Sequence, residues 1–257
     1  MNATYLQSIF GLEGKVALVT GGGRGIGQFV ACELSKAGAE IVILVRSDFQ
    51  ETVDMIRAAG GRAWGIRCDV TKQEDVRAAI GEIVERSGRL DIVFNNAGVC
   101  VHKSAFESTI EEFREVVDIN LTGEYIVAVE AARAMIKLGI RGSIINMASM
   151  SAGIVNLPQW QASYNASKAG VIHMTRSLAM EWIEHGIRVN SISPGYIATP
   201  MSTDVPEDLK QAWYKLIPMG RMGWPSELIP PILYLASPAS GYTTGTDVLV
   251  DGGYSCV

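Results

Sequence analysis

The chain has 257 residues, 48% of them hydrophobic and 19% charged, with a formal net charge of −5. That balance excludes a disordered or low-complexity chain, and the acidic excess excludes a broad nucleic-acid surface, which needs clustered Lys and Arg. The 27 glycines show no Gly-X-Y period, so they mark tight turns and close backbone contacts, not collagen.

Four cysteines, Cys32, Cys68, Cys100 and Cys256, lie far apart with no CxxC or Cys/His ligand spacing. Neither a metal site nor a disulfide scaffold is expected, and the thiols read as reduced. The start lacks a basic segment followed by a long apolar one. The apolar runs are short, residues 41–45 being an example, against the roughly 20 residues needed to span a bilayer. A cytoplasmic protein without membrane attachment is the expectation.

Short β-branched runs alternate with helix-period stretches along the chain. Residues 16–20, 41–45, 63–68, 92–95, 143–147, 188–192 and 248–250 read as strands. The first five are nearly all apolar, as parallel strands covered on both faces should be. Alternating strand and helix signals predict an α/β fold: one doubly wound, mainly parallel sheet of about seven strands with helices on both faces. No linker or repeat divides residues 1–257, so a single domain is expected. Residues 198–223 break the rhythm with Pro200, Pro206 and Pro218 around a short helix at 207–215, and read as a substrate loop.

The first strand runs into Gly21-Gly22-Gly23-Arg24-Gly25-Ile26-Gly27 and then into a helix pattern over 26–37. Gly21, Gly25 and Gly27 form a GxxxGxG spacing between strand and helix, where a tight turn lets the backbone approach a pyrophosphate. The helix N-terminus then aims N–H groups and a positive dipole end at the phosphates. At the end of the second strand, where an acidic residue would accept both ribose hydroxyls of NAD, the chain has Val45-Arg46-Ser47-Asp48. Arg46 and Arg24 can grip a 2′-phosphate, which favours NADP(H). Asp48 could still swing back to a ribose, which keeps NAD(H) open.

Two further motifs follow in order: Asn95-Asn96-Ala97-Gly98 after the fourth strand, and Tyr164-Asn-Ala-Ser-Lys168 opening a helix, with Ser149 fifteen residues upstream of Tyr164. With the glycine turn, these resemble the short-chain dehydrogenase/reductase family from Leu12 to Tyr254. The resemblance implies an NAD(P)-dependent oxidoreductase on a Rossmann-type fold, with Asn120, Ser149, Tyr164 and Lys168 as the catalytic set. Tyr164 and Lys168 are i and i+4 on one helix face. A free tyrosine with a pKa of about 10 is a poor base near neutrality, and a nearby ammonium lowers it. Tyr164 is thus expected as general acid/base, and Lys168 as the group that tunes it and holds the nicotinamide ribose.

Ser149 matches the family serine that steadies the substrate oxygen, although the commoner family spacing of thirteen residues selects Ser151. Asn120 matches the helix asparagine that holds a water relaying protons from the lysine. Asp69 and Val70 match the adenine-contact pair, and Asn96, Ala97 and Gly98 the cofactor cleft. Pro194, Gly195, Ile197 and Thr199 match the nicotinamide-side loop. His102, His173 and His185 match no catalytic position.

The stretch from Ser149 to Gln159, with Glu181-Trp182 downstream, resembles the branch acting on polyols and ketoses. Ser151, Asn156 and Gln159 are the expected substrate contacts, since each can bond a hydroxyl. The alternatives are a 3-oxoacyl thioester reductase and, in a different class, a non-catalytic module that senses cofactor. Family habit implies a homotetramer, with faces at the helices of residues 107–138 and 162–184.

Overall fold

Residues 3–257 are described by the computed structural model. Strands β1 (Val16–Thr20), β2 (Glu40–Val45), β3 (Ala63–Arg67), β4 (Ile92–Asn95), β5 (Ser143–Met147), β6 (Arg188–Pro194) and β7 (Asp247–Val250) form one sheet in the order β3-β2-β1-β4-β5-β6-β7. Every pairing is parallel, so the expected "mainly parallel" sheet is wholly so among the described residues. Alternate residues of each strand feed opposite cores. Ala17 and Val19 of β1 with Ile41 and Ile43 of β2 face one side; Leu18, Val42 and Leu44 face the other.

The first core is closed by α2 (Gly25–Lys36), α3 (Gln50–Ala58) and α10 (Ile229–Ala236), through Val30, Leu34, Val53, Ile56, Ile232 and Leu235. The second is closed by α4 (Gln73–Ser87), α6 (Glu124–Leu138) and α7 (Ala162–Glu181), through Val76, Ile80, Ile83, Ala131, Met135 and Leu178. Each such fully buried aliphatic side chain contributes about 1.5–3 kcal/mol relative to exposure. A helix α1 (Ala3–Phe10), for which the sequence reading had no element, precedes β1.

Several element boundaries differ from expectation, and three places bear on the site. β3 stops at Arg67, and Asp69 then turns the chain by accepting from the Thr71 amide at 3.1 Å and hydroxyl at 2.8 Å. β6 extends to Pro194, because a strand's last residue still offers its carbonyl even when proline has no N–H. The helices expected around 107–138 prove to be joined through a π segment. A capping box of Thr109 and Glu112 starts α5 (Ile110–Val117), a π-helical segment follows at Asp118–Gly123, and α6 continues. Such widened turns cluster at functional sites, and this one carries Asn120.

Beyond β3 the chain crosses back to lay β4 beside β1, so the connections leave the sheet in opposite directions at this pair. The loops after β1 and β4 therefore part at their C-terminal ends, the place where open α/β sheets bind ligands.

Candidate active site

A cleft of about 910 Å³ opens at those C-terminal ends. Its first half is made of backbone. Gly21 has φ +65°, and a Cβ there would lie 2.8 Å from Asn96 Nδ2; a Cβ on Gly27 would lie 2.5 Å from the Gly21 carbonyl oxygen. Only glycine fits either position. Asn96 stitches the two loops together: its Nδ2 donates to the Thr20 and Gly21 carbonyls at 3.0 and 3.3 Å, and the amides of Asn96 and Ala97 donate to Thr20 Oγ1 at 2.9 and 3.0 Å. This glycine-lined cradle at the N-terminus of α2 fits the pyrophosphate of a dinucleotide.

Arg24, Ile26, Arg46, Asp69, Val70, Ala97 and Gly98 continue the same wall, and Pro194, Gly195, Ile197 and Thr199 lie farther along the cleft. Arg24 and Arg46 are exposed, and neither is in an ion pair among the described residues. Asp48 is otherwise engaged: its Oδ1 accepts from the Gln50 amide at 3.0 Å, at the start of α3, and backbone hydrogen bonds hold its carboxyl below the usual range. Burial pushes the Asp69 carboxyl up, but the Thr71 bonds and the charges of Arg46 and Lys72 outweigh it and leave it below its ordinary value.

Ser149, Tyr164 and Lys168 converge on the cleft, and Asn120 lies behind its wall. Ser149 has an extended backbone at the end of the β5 loop, and its hydroxyl lies near enough to the Tyr164 phenol to pull that group's pKa down. Ser151 is its neighbour, with Oγ 3.1 Å from Ser149 Oγ across a short 3₁₀ turn at Met150–Ala152, and both serines line the cleft. Lys168 Nζ sits 5.9 Å from the Tyr164 ring centre and donates to the Met147 carbonyl and to Glu124 Oε1. Burial pushes the Tyr164 phenol above its ordinary value, even though Lys168 and Ser149 pull it down. Lys168 alone therefore does not bring Tyr164 toward neutrality.

Asn120 is completely buried. Its Oδ1 accepts from the Val99 amide at 2.8 Å, and its Nδ2 donates to the Val99 carbonyl at 2.9 Å and lies 3.2 Å from Ser167 Oγ. Both ends of its carboxamide thus bind protein, clamping the loop after β4 to the π segment.

The second half of the cleft is made of side chains. Gln161, which precedes α7, was missed in the sequence reading. Its Oε1 accepts from Gln159 Nε2 at 2.7 Å, and its Nε2 is within reach of Asn156 Oδ1 (3.0 Å), Asn165 Oδ1 (3.0 Å) and Ser151 Oγ (3.3 Å). A signal existed: Gln161, Tyr164, Asn165 and Lys168 are spaced i, i+3, i+4, i+7, a polar stripe on one helix face. Asn156 donates onward to the Tyr196 hydroxyl at 3.2 Å, and Tyr196 stacks on Trp213 with ring centres 4.2 Å apart. His102 also lines this wall, whereas His173 and His185 do not.

The proline-bearing segment 198–223 is clasped at its base. Ala198 N donates to the Gly223 carbonyl at 2.8 Å, and Gly223 N donates to the Tyr196 carbonyl at 2.9 Å. Between them lie α8 (Pro200–Thr203) and α9 (Glu207–Leu216), where one helix was expected. Trp213, Ile217 and Met222 pack on Met150 and Tyr254 in a small satellite core.

Comparison with known proteins agrees with this geometry. A family model described as Enoyl-(Acyl carrier protein) reductase matches residues 21–255. The "Probable NADP-dependent mannitol dehydrogenase" of Yarrowia lipolytica is 45% identical over 96% of this chain and 90% of its own length. A sorbose reductase of Candida albicans is 42% identical over 96% and 89%. A short-chain type dehydrogenase/reductase from Mycobacterium marinum superposes with a TM-score of 0.95 at 43% identity, over 98% of this chain and all of that one. With the cradle, the Ser-Tyr-Lys cluster and the switch-point cleft in place, the chain belongs to the short-chain dehydrogenase/reductase family of NAD(P)-dependent oxidoreductases.

Proposed function

We propose that the chain interconverts a polyol and a ketose, with NADP(H) preferred over NAD(H). The observation that carries the substrate class is the amide network of buried Asn156 and Gln161 and half-buried Gln159 with Ser151, in the cleft that Ser149 and Tyr164 also line. Such groups are both donors and acceptors, which suits a ligand carrying several hydroxyls. The named activities of the mannitol and sorbose relatives support the same class. The cofactor preference is supported by two unpaired guanidinium groups at the end of β2 and in the glycine turn, and by the engagement of Asp48 in its own turn.

When bound, a nicotinamide supplies or accepts the hydride. Ser149 donates a hydrogen bond to the substrate oxygen and steadies the charge that develops there. Tyr164 delivers the proton to that oxygen in carbonyl reduction, or removes it from the alcohol in oxidation. Gly21, Gly25 and Gly27 hold the pyrophosphate, and Lys168 holds the ribose beside Tyr164. Residues 198–223 cover the substrate. Exposed Phe106, Ile110, Phe113 and Tyr125 support self-assembly into a tetramer, for which light scattering should give the mass of four chains and not of one.

A panel of polyols, ketoses and 3-oxoacyl thioesters, each assayed with both cofactors by nicotinamide absorbance, tests the reading. Turnover highest with a ketose and NADPH is expected. Turnover confined to thioesters would replace the substrate class, and tight cofactor binding with no turnover anywhere would point to a sensor.

A further inference from the structure

Glu124 is the one carboxyl that reaches Lys168 among the described residues, and nothing in the activity above uses it. It opens α6 directly after the π segment, and its side chain is 1% exposed against 2% for Lys168. Glu124 Oε1 accepts from Lys168 Nζ at 3.0 Å, while Oε2 is buried with no donor among the described residues. Its backbone carbonyl accepts from Asn95 Nδ2 at 3.0 Å, which ties the start of α6 to the end of β4. A buried carboxylate with one empty oxygen is costly to keep, because removing charge from water is repaid only by full pairing.

We propose that Glu124 is a positioning residue for the Tyr164–Lys168 pair. Its carboxylate fixes Lys168 Nζ beside the Met147 carbonyl, and its negative charge keeps Tyr164 protonated to higher pH, so that Tyr164 serves as a proton donor for carbonyl reduction over a wider range. The proposal rests on Tyr164 being the acid/base group.

The sign follows from the charges present. A phenolate beside a carboxylate is disfavoured, so an ionised Glu124 raises the Tyr164 pKa while Lys168 lowers it. Burial pushes Glu124 itself up to about 7, against the pull of Lys168. Of the other groups facing this cluster, Cys100, in the loop after β4, pushes the Tyr164 phenol the same way as Glu124 once its own thiol ionises, but burial holds that thiol up to about 12 and it is neutral below that. Glu130, farther along α6, is paired with Arg77 of α4 and with Arg133, and Asp118 of the π segment is exposed.

Two measurements test this, one without substrate. Ultraviolet titration of tyrosinate, taken as the difference from a Tyr164→Phe chain, reads the Tyr164 ionisation directly. Glu124→Gln should lower it by about one unit, roughly a tenfold change in proton affinity, with Glu124→Asp restoring it toward wild type. Glu124→Leu should give the same downward shift, which covers a Gln chain that folds poorly. In steady state, the basic limb of reduction should move down by the same amount. A tyrosinate titration unchanged to within about 0.2 unit in both neutral variants would overturn the proposal. A shifted titration with an unmoved limb of turnover would leave the coupling standing and remove Tyr164 as the group that turnover titrates.

Discussion

The two halves of the cleft are built from different materials. The cofactor half is backbone: a glycine turn, the ends of β1 and β4, and a helix N-terminus, held by hydrogen bonds between Thr20, Asn96 and Ala97. The other half is side chains drawn from two separate segments, 149–161 and 196–223, and backed by a satellite core around Trp213 and Tyr254. A backbone site tolerates almost no substitution, because a single Cβ occupies the space that the ligand or the neighbouring turn requires. A side-chain site can be rewritten residue by residue while the backbone stays in place. One chain can thus keep a fixed cofactor grip while its substrate changes within a family, which is why the fold shows the chemistry and not the sugar.

Tyr164 stands where the halves meet, so its loss should produce the largest effect and should not respect the division. Tyr164→Phe should lower turnover by about 10²–10⁴-fold for every substrate, the usual worth of a positioned proton donor, while cofactor affinity measured by nicotinamide fluorescence stays close to wild type. Retained turnover would remove the acid/base assignment. Gly27→Ala should come next and act only on the backbone half. Its Cβ would lie 2.5 Å from the Gly21 carbonyl, a fixed atom that cannot swing aside. Overpacking of about 1–3 kcal/mol translates to cofactor binding roughly 5–150-fold weaker, equally for NADPH and NADH. A preference between the two in this variant would mean that the turn does more than hold the pyrophosphate.

The same division explains what could be read in the sequence. Gly21, Gly25 and Gly27 were legible because their positions are forced by geometry, and forced positions repeat as motifs. Tyr164 and Lys168 were legible because their chemistry needs one helix face. Ser149 and Ser151 could not be separated by counting, since the fold sets both on the cleft across one 3₁₀ turn. Gln161 was passed over because its only sequence signal is a polar stripe shared with Tyr164, Asn165 and Lys168, while its five side-chain neighbours, from Cys100 to Asn165, are brought together by the fold alone. Glu124 was invisible for the same reason: it looks like an ordinary acidic residue at a helix start, 44 positions from the lysine that it holds. The π segment escaped too, because one widened turn hardly disturbs a helical period.

Arg46→Ala should give a smaller effect than Gly27→Ala and one confined to a single cofactor. Arg46 is exposed, so solvent screens its charge, but a 2′-phosphate would make a charge-assisted bond with it. NADPH binding about tenfold weaker with NADH nearly unchanged is expected, and the difference should shrink as salt is raised. Equal weakening of both cofactors would place Arg46 at the adenine or pyrophosphate and undo the NADP preference.

The smallest effect belongs to Gln161→Leu, and it is the sharpest test of the contrast between halves. Leucine nearly conserves the volume, so the backbone of α7 has no reason to move. The amides of Asn156, Gln159 and Asn165 would each lose a partner, and the polar wall would become ragged rather than absent. Losing one neutral hydrogen bond to substrate is worth about 0.5–1.5 kcal/mol, so KM for a polyol should rise about threefold to tenfold. Both kcat and cofactor affinity should hold, because the group acts on binding that ground state and transition state share. A simple secondary alcohol, with no further hydroxyls for the wall to grip, should show no change in KM. If its KM rises as much as the polyol's, Gln161 is bracing the catalytic cluster through Ser151, and the two halves of the cleft are not separable at this residue.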